Sequence, residues 1–187
     1  MQKYKVLFLG LGRMGFHMSA HISKSKNIEL FIYNRSKKKE KNWLKNYKAK
    51  RFDPKNSLSL KFDVIITCLK DDHSINQITK NLLNSECFHK KTIFIDHSTI
   101  SLSQVEKLNI LLNKYKITFM DAPVTGGEEG AKNGKLSVMI GGSDSKFKLI
   151  LPILKTYSKS VVHMGNTGSG QLAKFTNQIF RCPCYRW

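Results

Sequence analysis

Residues 4–15 are Tyr4-Lys-Val-Leu-Phe-Leu-Gly10-Leu-Gly12-Arg-Met-Gly15, and this stretch decides the fold. An apolar segment leads directly into Gly-x-Gly-x-x-Gly, and residues compatible with a helix follow it. In this context the first glycine permits a tight turn, the second lets the backbone approach a pyrophosphate, and the third lets the helix pack closely on the strand. The helix N-terminus offers free N–H groups to an anion. The motif predicts a dinucleotide site, and the alternative is a glycine-rich turn that binds no ligand.

Length and cysteine content restrict the class of protein. The chain has 187 residues, which is enough for one sizeable core or for one domain and part of another. No apolar run is long enough for a transmembrane helix, and the first predicted strand begins so early that no signal peptide is expected before it. The cysteines are spaced neither as a disulfide framework nor as a zinc site, so we expect no metal and a reducing cytoplasm. They are Cys68, Cys87, Cys182 and Cys184.

The net charge is strongly positive, because 32 Lys and Arg residues against 13 Asp and Glu residues give a formal charge of +19. Such a charge is typical of proteins that bind nucleic acid or other anions. The lysines, however, are spread along the whole chain, and no aromatic residues alternate with them in a basic stripe. We therefore favour solvated, lysine-rich helix faces and expect neither a specific nucleic-acid partner nor a membrane partner. The positive field would still attract an anionic cofactor and an acidic substrate.

Apolar strands alternate with amphipathic helices along the chain. Helical periodicity is clear where Leu102, Val105, Leu108 and Leu112 share one face. Continuous apolar strands between such helices predict an α/β fold with a doubly wound, Rossmann-type, mostly parallel sheet and helices on both faces. The predicted strands are Lys5–Leu9, Glu29–Tyr33, Val64–Leu69, Thr92–Ile95, Ile117–Met120, Leu136–Ile140 and Val161–His163, and a short strand can form near Lys48–Arg51.

The residues after the second predicted strand bear on the choice of cofactor. In a dinucleotide fold, an acidic residue about twenty positions beyond the glycines usually binds the ribose 2′-hydroxyl. Here that position holds Asn34 and Arg35. A guanidinium can pair with a 2′-phosphate in a fork geometry, whereas a carboxylate would repel it. These residues favour NADP over NAD, and Ser36 and Lys37 could add to the pocket; the alternative is an ordinary surface arginine.

Two polar segments follow strands that end at the carboxyl edge of the sheet, where ligands bind in doubly wound folds. Leu69 and Thr99 are candidates for packing on, or hydrogen bonding to, the ribose and nicotinamide. For Thr99 the alternative is a helix cap, which is the commoner role of a threonine before a helix. Asp96, His97 and Ser98 cannot form a hydrolase triad, because adjacent residues of a strand point to opposite faces. We expect His97 to be structural.

A lysine near the end of the chain occupies a notable position. Lys174 follows Gly168-Ser-Gly170 by one helical turn, in a helix predicted from about Gln171. Gln178 lies four residues further on and on the same helix face, with Asn177 beside it. A lysine with two amides can donate to a carbonyl oxygen and hold a polar substrate. The alternative is that Lys174 is one solvent-exposed charge among many.

Several stretches, taken together, resemble the 3-hydroxyisobutyrate dehydrogenase family, also called the β-hydroxyacid dehydrogenases. Its relatives include tartronate semialdehyde reductase, glyoxylate/succinic semialdehyde reductase and 6-phosphogluconate dehydrogenase. The resemblance begins at Tyr4, continues to Phe180 and follows the family's order of motifs. The matching stretches are Gly10-Leu-Gly12-Arg-Met-Gly15, Asp96-His-Ser98-Thr99-Ile, Asp121-Ala-Pro-Val-Thr125-Gly126-Gly127 and Gly168-Ser-Gly170-Gln-Leu-Ala-Lys174-Phe-Thr-Asn177-Gln178.

The resemblance implies NADP(H)-dependent interconversion of a β-hydroxy acid and its semialdehyde, so the expected partner is a small carboxylate-bearing hydroxy acid or semialdehyde. Lys174 would be the catalytic acid that protonates the nascent alkoxide as hydride arrives. Many members have serine where Thr125 stands and asparagine where Gln178 stands. The implied cofactor-binding residues are Gly10, Leu11, Gly12, Arg13, Met14, Gly15, Asn34, Arg35, Leu69 and Thr99. The implied substrate-binding residues are Thr125, Gly126, Gly127, Asn177 and Gln178.

The end of the chain departs from the family pattern. Members are longer, form homo-oligomers and carry a second, all-helical domain. Here Phe180 is followed by Arg181-Cys-Pro-Cys-Tyr-Arg-Trp187, in which proline would break the helix. We expect residues 1–165 to form the NADP-binding domain and residues 166–187 to begin a truncated interdomain helix, with the all-helical domain absent and activity in doubt. Two alternatives stay open: a family enzyme that uses NAD or reduces an imine or another carbonyl, and a non-catalytic nucleotide-binding remnant.

Overall fold

A computed structural model describes residues 3–54 and 60–181, in which strands and helices alternate. The strands are β1 (Tyr4–Leu9), β2 (Ile28–Tyr33), β3 (Lys50–Arg51), β4 (Val64–Thr67), β5 (Ile93–Asp96), β6 (Thr118–Asp121), β7 (Val124–Thr125), β8 (Leu136–Gly141) and β9 (Ser158–Gly165). The helices are α1 (Arg13–Ile22), α2 (Lys37–Asn46), α3 (Asp72–Asn84), α4 (Leu102–Lys114), α5 (Gly127–Lys132), α6 (Asp144–Leu154) and α7 (Ser169–Arg181).

All of these strands belong to one sheet, whose first six members lie in the order β3-β2-β1-β4-β5-β6 and pair in parallel. The order reverses between β1 and β4, since the chain first winds outward from β1 to β3 and then returns to the other side of β1. In open α/β sheets the ligand binds at this reversal, outside the carboxyl ends of the strands. The doubly wound, mostly parallel sheet that the sequence predicts is therefore confirmed.

Strand β1 shows why the sheet needs helices on both faces. Val6 and Phe8 pack into one buried apolar cluster with residues of α1, α2 and α6. Leu7 and Leu9 point the other way and pack into a second cluster with residues of α3 and α4. Because successive side chains of a strand alternate between faces, a strand that is apolar at every position must be covered twice.

Beyond β6 the direction of pairing changes. Asp121 of β6 lies opposite Gly141 of β8 in an antiparallel pair, and Val124 and Thr125 of β7 continue the same register opposite Val138 and Ser137. Strands β6 and β7 are thus two halves of one interrupted strand. Strand β9 pairs in parallel with β8 on its opposite edge and leads into α7, which packs back on β8. This arrangement brings the start of α7 to Asp121 of β6, and Lys174 of α7 to Val124 of β7.

Several local predictions are wrong by a few residues. Strand β4 ends at Thr67 rather than Leu69, and α7 begins at Ser169 rather than near Gln171. Strand β7 is absent from the predicted strands, because two residues are too few to show the alternation of apolar and polar side chains that marks a strand. The cysteines near the end of the chain lie outside the described residues, and the division at residue 165 stays a prediction. Within the described ranges, no helix is long and apolar enough to cross a membrane.

Candidate functional site

The glycine loop between β1 and α1 has the geometry that its motif demands. Gly10 has a φ of +102°, and a Cβ there would lie 2.3 Å from the Cys68 carbonyl oxygen. A Cβ on Gly15 would lie 2.0 Å from the Gly10 carbonyl oxygen, so α1 can approach the turn only with glycine at that position. No side chain caps the N-terminus of α1 at Gly12, and no atom lies within 4 Å of a Cβ added there. The loop thus leaves backbone N–H groups and space for an anion.

Asn34, at the end of β2, holds this loop in place. Its Oδ1 accepts a hydrogen bond from the Leu11 N–H at 2.9 Å, and its Nδ2 donates to the Ser36 carbonyl at 3.2 Å. The Asn34 N–H donates to Oε1 of Glu40 at 2.7 Å. Asn34 therefore ties the glycine loop to the loop before α2. The predicted contact between its side chain and a 2′-phosphate would compete with these bonds.

A cavity of about 410 Å³ opens beside the two loops. Among the predicted cofactor residues, Gly10, Gly12, Asn34, Arg35 and Leu69 line it. Other residues on its wall include the cations Lys39 and Lys70 and the side chains Tyr33, Cys68, Ser74, Gln77, Ile78 and Asn81. This mixture of an apolar wall, amides and cations fits an adenosine that carries phosphate.

The remaining predicted cofactor residues lie outside this cavity. The side chain of Leu11 is buried in the core, and Met14 is half-buried and packs against the same cluster. Arg13 is exposed and lines a smaller neighbouring cavity of about 320 Å³ with Leu11 and Gly12. Thr99, which follows β5, is exposed to solvent. This exposure is consistent with a residue that contacts a bound ligand.

Ser98 connects the two predicted cofactor loops with α7. Its Oγ accepts a hydrogen bond from the Leu69 N–H at 2.9 Å and donates to Asp96 Oδ1 at 2.6 Å. Its carbonyl accepts a hydrogen bond from Gln171 Nε2 at 2.7 Å. Burial raises the pKa of Asp96 to about 6, although hydrogen bonds from Ser98 and Thr67 oppose the shift. Asp96 and Gln171 are fully buried, and neither Asp96 Oδ2 nor Gln171 Oε1 has a hydrogen-bond partner among the described residues.

Asp121 fixes the start of α7. Its Oδ1 accepts the Gly168 N–H at 2.6 Å, and its Oδ2 accepts the Gln171 N–H at 2.8 Å. Gly170 is equally constrained, because a Cβ there would lie 2.5 Å from the Met139 carbonyl oxygen. A carboxylate at a helix N-terminus satisfies free N–H groups and interacts favourably with the helix dipole. Burial nevertheless raises the pKa of Asp121.

Lys174 lies on the inner side of α7, and its Nζ donates to the Val124 carbonyl at 3.0 Å. Thr125, Gly126 and Gly127 follow Val124 directly, and both glycines have positive φ angles, of +126° and +64°. The structure therefore brings the predicted catalytic lysine to the predicted carboxylate-binding loop. Thr125 is half-buried and the two glycines are exposed.

The two amides on α7 differ in position. Asn177 is half-buried, and its Oδ1 is enclosed without a hydrogen-bond partner among the described residues. Gln178 is exposed to solvent. Asn177 is thus the amide that shares the inner side of the helix with Lys174, and its enclosed oxygen could accept a hydrogen bond from a ligand.

His97 has a structural environment, as expected. Its ring is buried, with Nδ1 at 2.5 Å from the Ala122 carbonyl oxygen and Nε2 at 2.8 Å from the Tyr157 hydroxyl. Burial lowers its pKa to about 4, against the effect of the Ala122 carbonyl. Both ring nitrogens are engaged with structural partners. Among the described residues, no group of three or more His, Cys, Asp or Glu side chains could hold a metal ion.

Taken together, the sheet order, the glycine turn and the uncapped helix N-terminus define a dinucleotide-binding domain of the Rossmann type. The class of protein follows from the fold and this loop. The particular family follows from comparison with known proteins.

The chain belongs to the family of the NAD binding domain of 6-phosphogluconate dehydrogenase, whose model matches residues 5–165, and proteins named 3-hydroxyisobutyrate dehydrogenase are among its relatives. An uncharacterized oxidoreductase of Shewanella frigidimarina is 34% identical over 178 residues, which cover 94% of this chain and 60% of that protein. A probable mitochondrial 3-hydroxyisobutyrate dehydrogenase of Dictyostelium discoideum is 32% identical over 177 residues, which cover 92% and 53%.

A solved structure gives the same result. The 3-hydroxyisobutyrate dehydrogenase of Mycobacterium tuberculosis, solved with L-serine, matches with a TM-score of 0.86 and 28% identity over 96% of this chain and 60% of that one. The predicted family is thereby confirmed. The chain spans between 53% and 60% of the length of these three proteins.

Sequence reasoning missed four buried polar residues around the site. These are Glu40, Asp96, Asp121 and Gln171. Glu40 carried a signal, because it is the one acid within the run from Lys37 to Lys41. Asp96 and Asp121 each end an apolar strand, at positions that pair across β5 and β6. Their hydrogen-bond partners could be identified only from the fold.

Proposed function

We propose that this chain supplies the cofactor-binding part of an NADP(H)-dependent oxidoreductase that interconverts a β-hydroxy acid and its semialdehyde. One observation carries the proposal: Lys174 Nζ lies 3.0 Å from the Val124 carbonyl, at the loop of Thr125, Gly126 and Gly127. A cation, a hydroxyl and two glycine N–H groups then converge beside a dinucleotide-binding edge. Family membership supports oxidoreductase chemistry at that position.

The residues of this loop suit a carboxylate. The Thr125 hydroxyl and the N–H groups of Gly126 and Gly127 are donors, and glycine backbone can approach an anion closely. Anchoring the carboxylate would decide which carbon of the substrate faces the nicotinamide. The enclosed Asn177 oxygen would accept a hydrogen bond from a substrate hydroxyl.

Lys174 would handle the proton. Bound NADPH supplies the hydride, and hydride addition to an aldehyde produces an alkoxide. The Lys174 ammonium would stabilise that charge and then donate its proton, or accept one in the oxidative direction. Its hydrogen bond to the Val124 carbonyl directs the ammonium toward the loop.

Substitution of Lys174 tests this assignment. Lys174→Ala should lower turnover of short β-hydroxy acids or their semialdehydes by about 10²–10⁴-fold, with an unchanged Kd for NADPH. Absorbance of NADPH reports turnover, and its fluorescence reports binding. Lys159→Ala, which removes an exposed lysine of β9, is the matched control and should change neither quantity.

The outcomes separate the proposed function from its alternative. Near-normal turnover in Lys174→Ala would remove the catalytic assignment. NADPH binding without turnover of any β-hydroxy acid, by the unaltered chain and also by the chain joined to the helical domain of a relative, would instead favour a non-catalytic nucleotide-binding protein.

Arg35 supports the preference for NADP. It is exposed on the wall of the 410 Å³ cavity, beside the cations Lys39 and Lys70. A charge-assisted contact with phosphate is worth about 1.5–3 kcal/mol, or roughly ten- to a hundred-fold in Kd. Calorimetry should therefore find NADPH bound more tightly than NADH, and Arg35→Asp should reverse the order. Equal affinities in the unaltered chain would contradict this preference.

A further inference from the structure

We propose that Glu40 is a positioning residue for the 2′-phosphate-binding loop of the cofactor site, a proposal that rests on the NADP preference proposed above. Glu40 belongs to the first turn of α2 and does not line the 410 Å³ cavity. Its carboxylate binds the backbone N–H of Asn34. Through this hydrogen bond it positions the loop that presents Arg35 and Ser36.

The carboxylate of Glu40 is completely buried, which is unusual for a glutamate in a lysine-rich helix. Its Oε1 accepts the Asn34 N–H at 2.7 Å. Its Oε2 lies 3.4 Å from Lys37 Nζ and 3.3 Å from an Arg51 guanidinium nitrogen. A buried carboxylate persists only with such partners, because loss of water must be offset by hydrogen bonds and opposite charge.

These contacts fix the three-residue loop Asn34-Arg35-Ser36 between β2 and α2. Asn34 is held by its backbone N–H to Glu40 and by its side chain to the Leu11 N–H and the Ser36 carbonyl. Arg35 lies between Asn34 and Ser36, so both its neighbours are fixed while its own side chain stays exposed to the cavity. Fixing the backbone on both sides lowers the entropy that Arg35 must lose when it binds a phosphate.

Charge neutralisation makes an acid acceptable at this position. An unpaired carboxylate near the ribose would repel a 2′-phosphate. Lys37 and Arg51 pair with Glu40 from two sides, and the Lys37 ammonium also lies 5.1 Å from the ring centre of Tyr33 on the cavity wall. The carboxylate can therefore organise the loop without excluding the phosphate.

Two substitutions separate the hydrogen bond from the charge. Glu40→Gln and Glu40→Met both remove the charge and release Lys37 and Arg51, but only glutamine keeps an oxygen acceptor for the Asn34 N–H. The probes are 5′-AMP and 2′,5′-ADP, which differ only in the 2′-phosphate. For each protein, calorimetry gives the ratio of the two Kd values.

We expect Glu40→Gln to keep this ratio within about threefold of the unaltered chain, and Glu40→Met to reduce the preference for 2′,5′-ADP about tenfold. Thermal unfolding of both variants measures any general loss of stability. A purely structural role for Glu40 would weaken both nucleotides equally and leave the ratio unchanged. Equal ratios in the two variants would therefore overturn the proposal.

A measurement on the unaltered chain decides the matter if Glu40→Met does not fold. Hydrogen exchange of the Asn34 amide should be slower with saturating 2′,5′-ADP than with saturating 5′-AMP, because phosphate binding orders the loop that this amide closes. Equal exchange rates would contradict the proposal. Binding of both nucleotides with the same affinity by the unaltered chain would overturn the NADP preference itself, and the role of Glu40 with it.

Discussion

Asp96 is buried at the carboxyl end of β5, and replacing it with asparagine should change how the stability of the fold depends on pH. Asparagine keeps the Oδ1 that accepts hydrogen bonds from Thr67 and Ser98 and removes only the charge. The folded state holds the Asp96 proton more tightly than the unfolded chain, since burial raises its pKa to about 6. Its contribution to stability is therefore fully present below about pH 4 and is lost as pH rises through about 6.

The size of the effect follows from the two pKa values. A change from the ordinary value of about 3.9 to about 6 corresponds to about 3 kcal/mol when the group is fully ionised, of which about 2 kcal/mol falls between about pH 4 and about pH 7. Asp96→Asn should thus gain about 2 kcal/mol in unfolding free energy relative to the unaltered chain over that interval. The substitution can also change the unfolding free energy by an amount that does not depend on pH. This amount does not affect the result, because only the change of the unfolding free energy with pH is compared.

His97 acts in the opposite direction. Burial lowers its pKa to about 4, so its contribution to stability is present above about pH 6.5 and is lost as pH falls through about 4. In the unaltered chain the effects of Asp96 and His97 on stability offset each other between these pH values. In Asp96→Asn the effect of His97 is no longer offset by Asp96, and stability should fall clearly in acid.

Urea unfolding followed by circular dichroism at several pH values measures this difference. Asp144→Asn is the control, because Asp144 is exposed and its pKa is lowered by the hydrogen bond from Lys148. That variant should shift the pH dependence only slightly and in the opposite direction. Parallel pH curves for the unaltered chain and Asp96→Asn would show that burial does not hold the proton on Asp96.

Two further predictions concern the glycine loop and α7. Gly15→Ala should destabilise the fold by about 1–3 kcal/mol, because its Cβ would meet the Gly10 carbonyl. Gly12→Ala should instead keep the stability and weaken NADPH binding. Urea unfolding measures the stability and fluorescence titration measures the binding, and equal stability of both variants would contradict the steric argument. The side chains of Ile179 and Phe180 on α7 are 55% and 81% exposed, so the chain should self-associate through them. The double substitution Ile179→Ser with Phe180→Ser should reduce this self-association. Sedimentation velocity measures the association, and a concentration-independent monomer would refute it.

Much of the fold could be predicted from the sequence because its signals are local. An apolar strand, a glycine turn and a helix occupy the first part of the chain without interruption, and each glycine is explained by a steric need that the structure shows at Gly10 and Gly15. Periodicity in α4 likewise predicts which face is buried. The same holds for the position of Lys174 one helical turn after a glycine hinge.

The tertiary structure alone decided which polar groups meet. The sequence predicts that Asn34 contacts a phosphate, and this stays a prediction. The structure adds that its side chain accepts the Leu11 N–H and donates to the Ser36 carbonyl, since β1 and β2 place their carboxyl ends side by side. Lys174 reaches Val124 only because β9 and β7 flank β8 and α7 packs back across the sheet.

The burial of Glu40 and Asp96 shows the physical reason. The position of each acid in its own segment is visible in the sequence, but its pairing with distant groups depends on the crossing of elements that no local pattern encodes. Sequence determined the class of fold, the cofactor-binding turn and the candidate proton donor of this protein. The network of buried hydrogen bonds that joins these parts into one site was decided by long-range strand order, because hydrogen bonds depend on distances in space and not on separation along the chain.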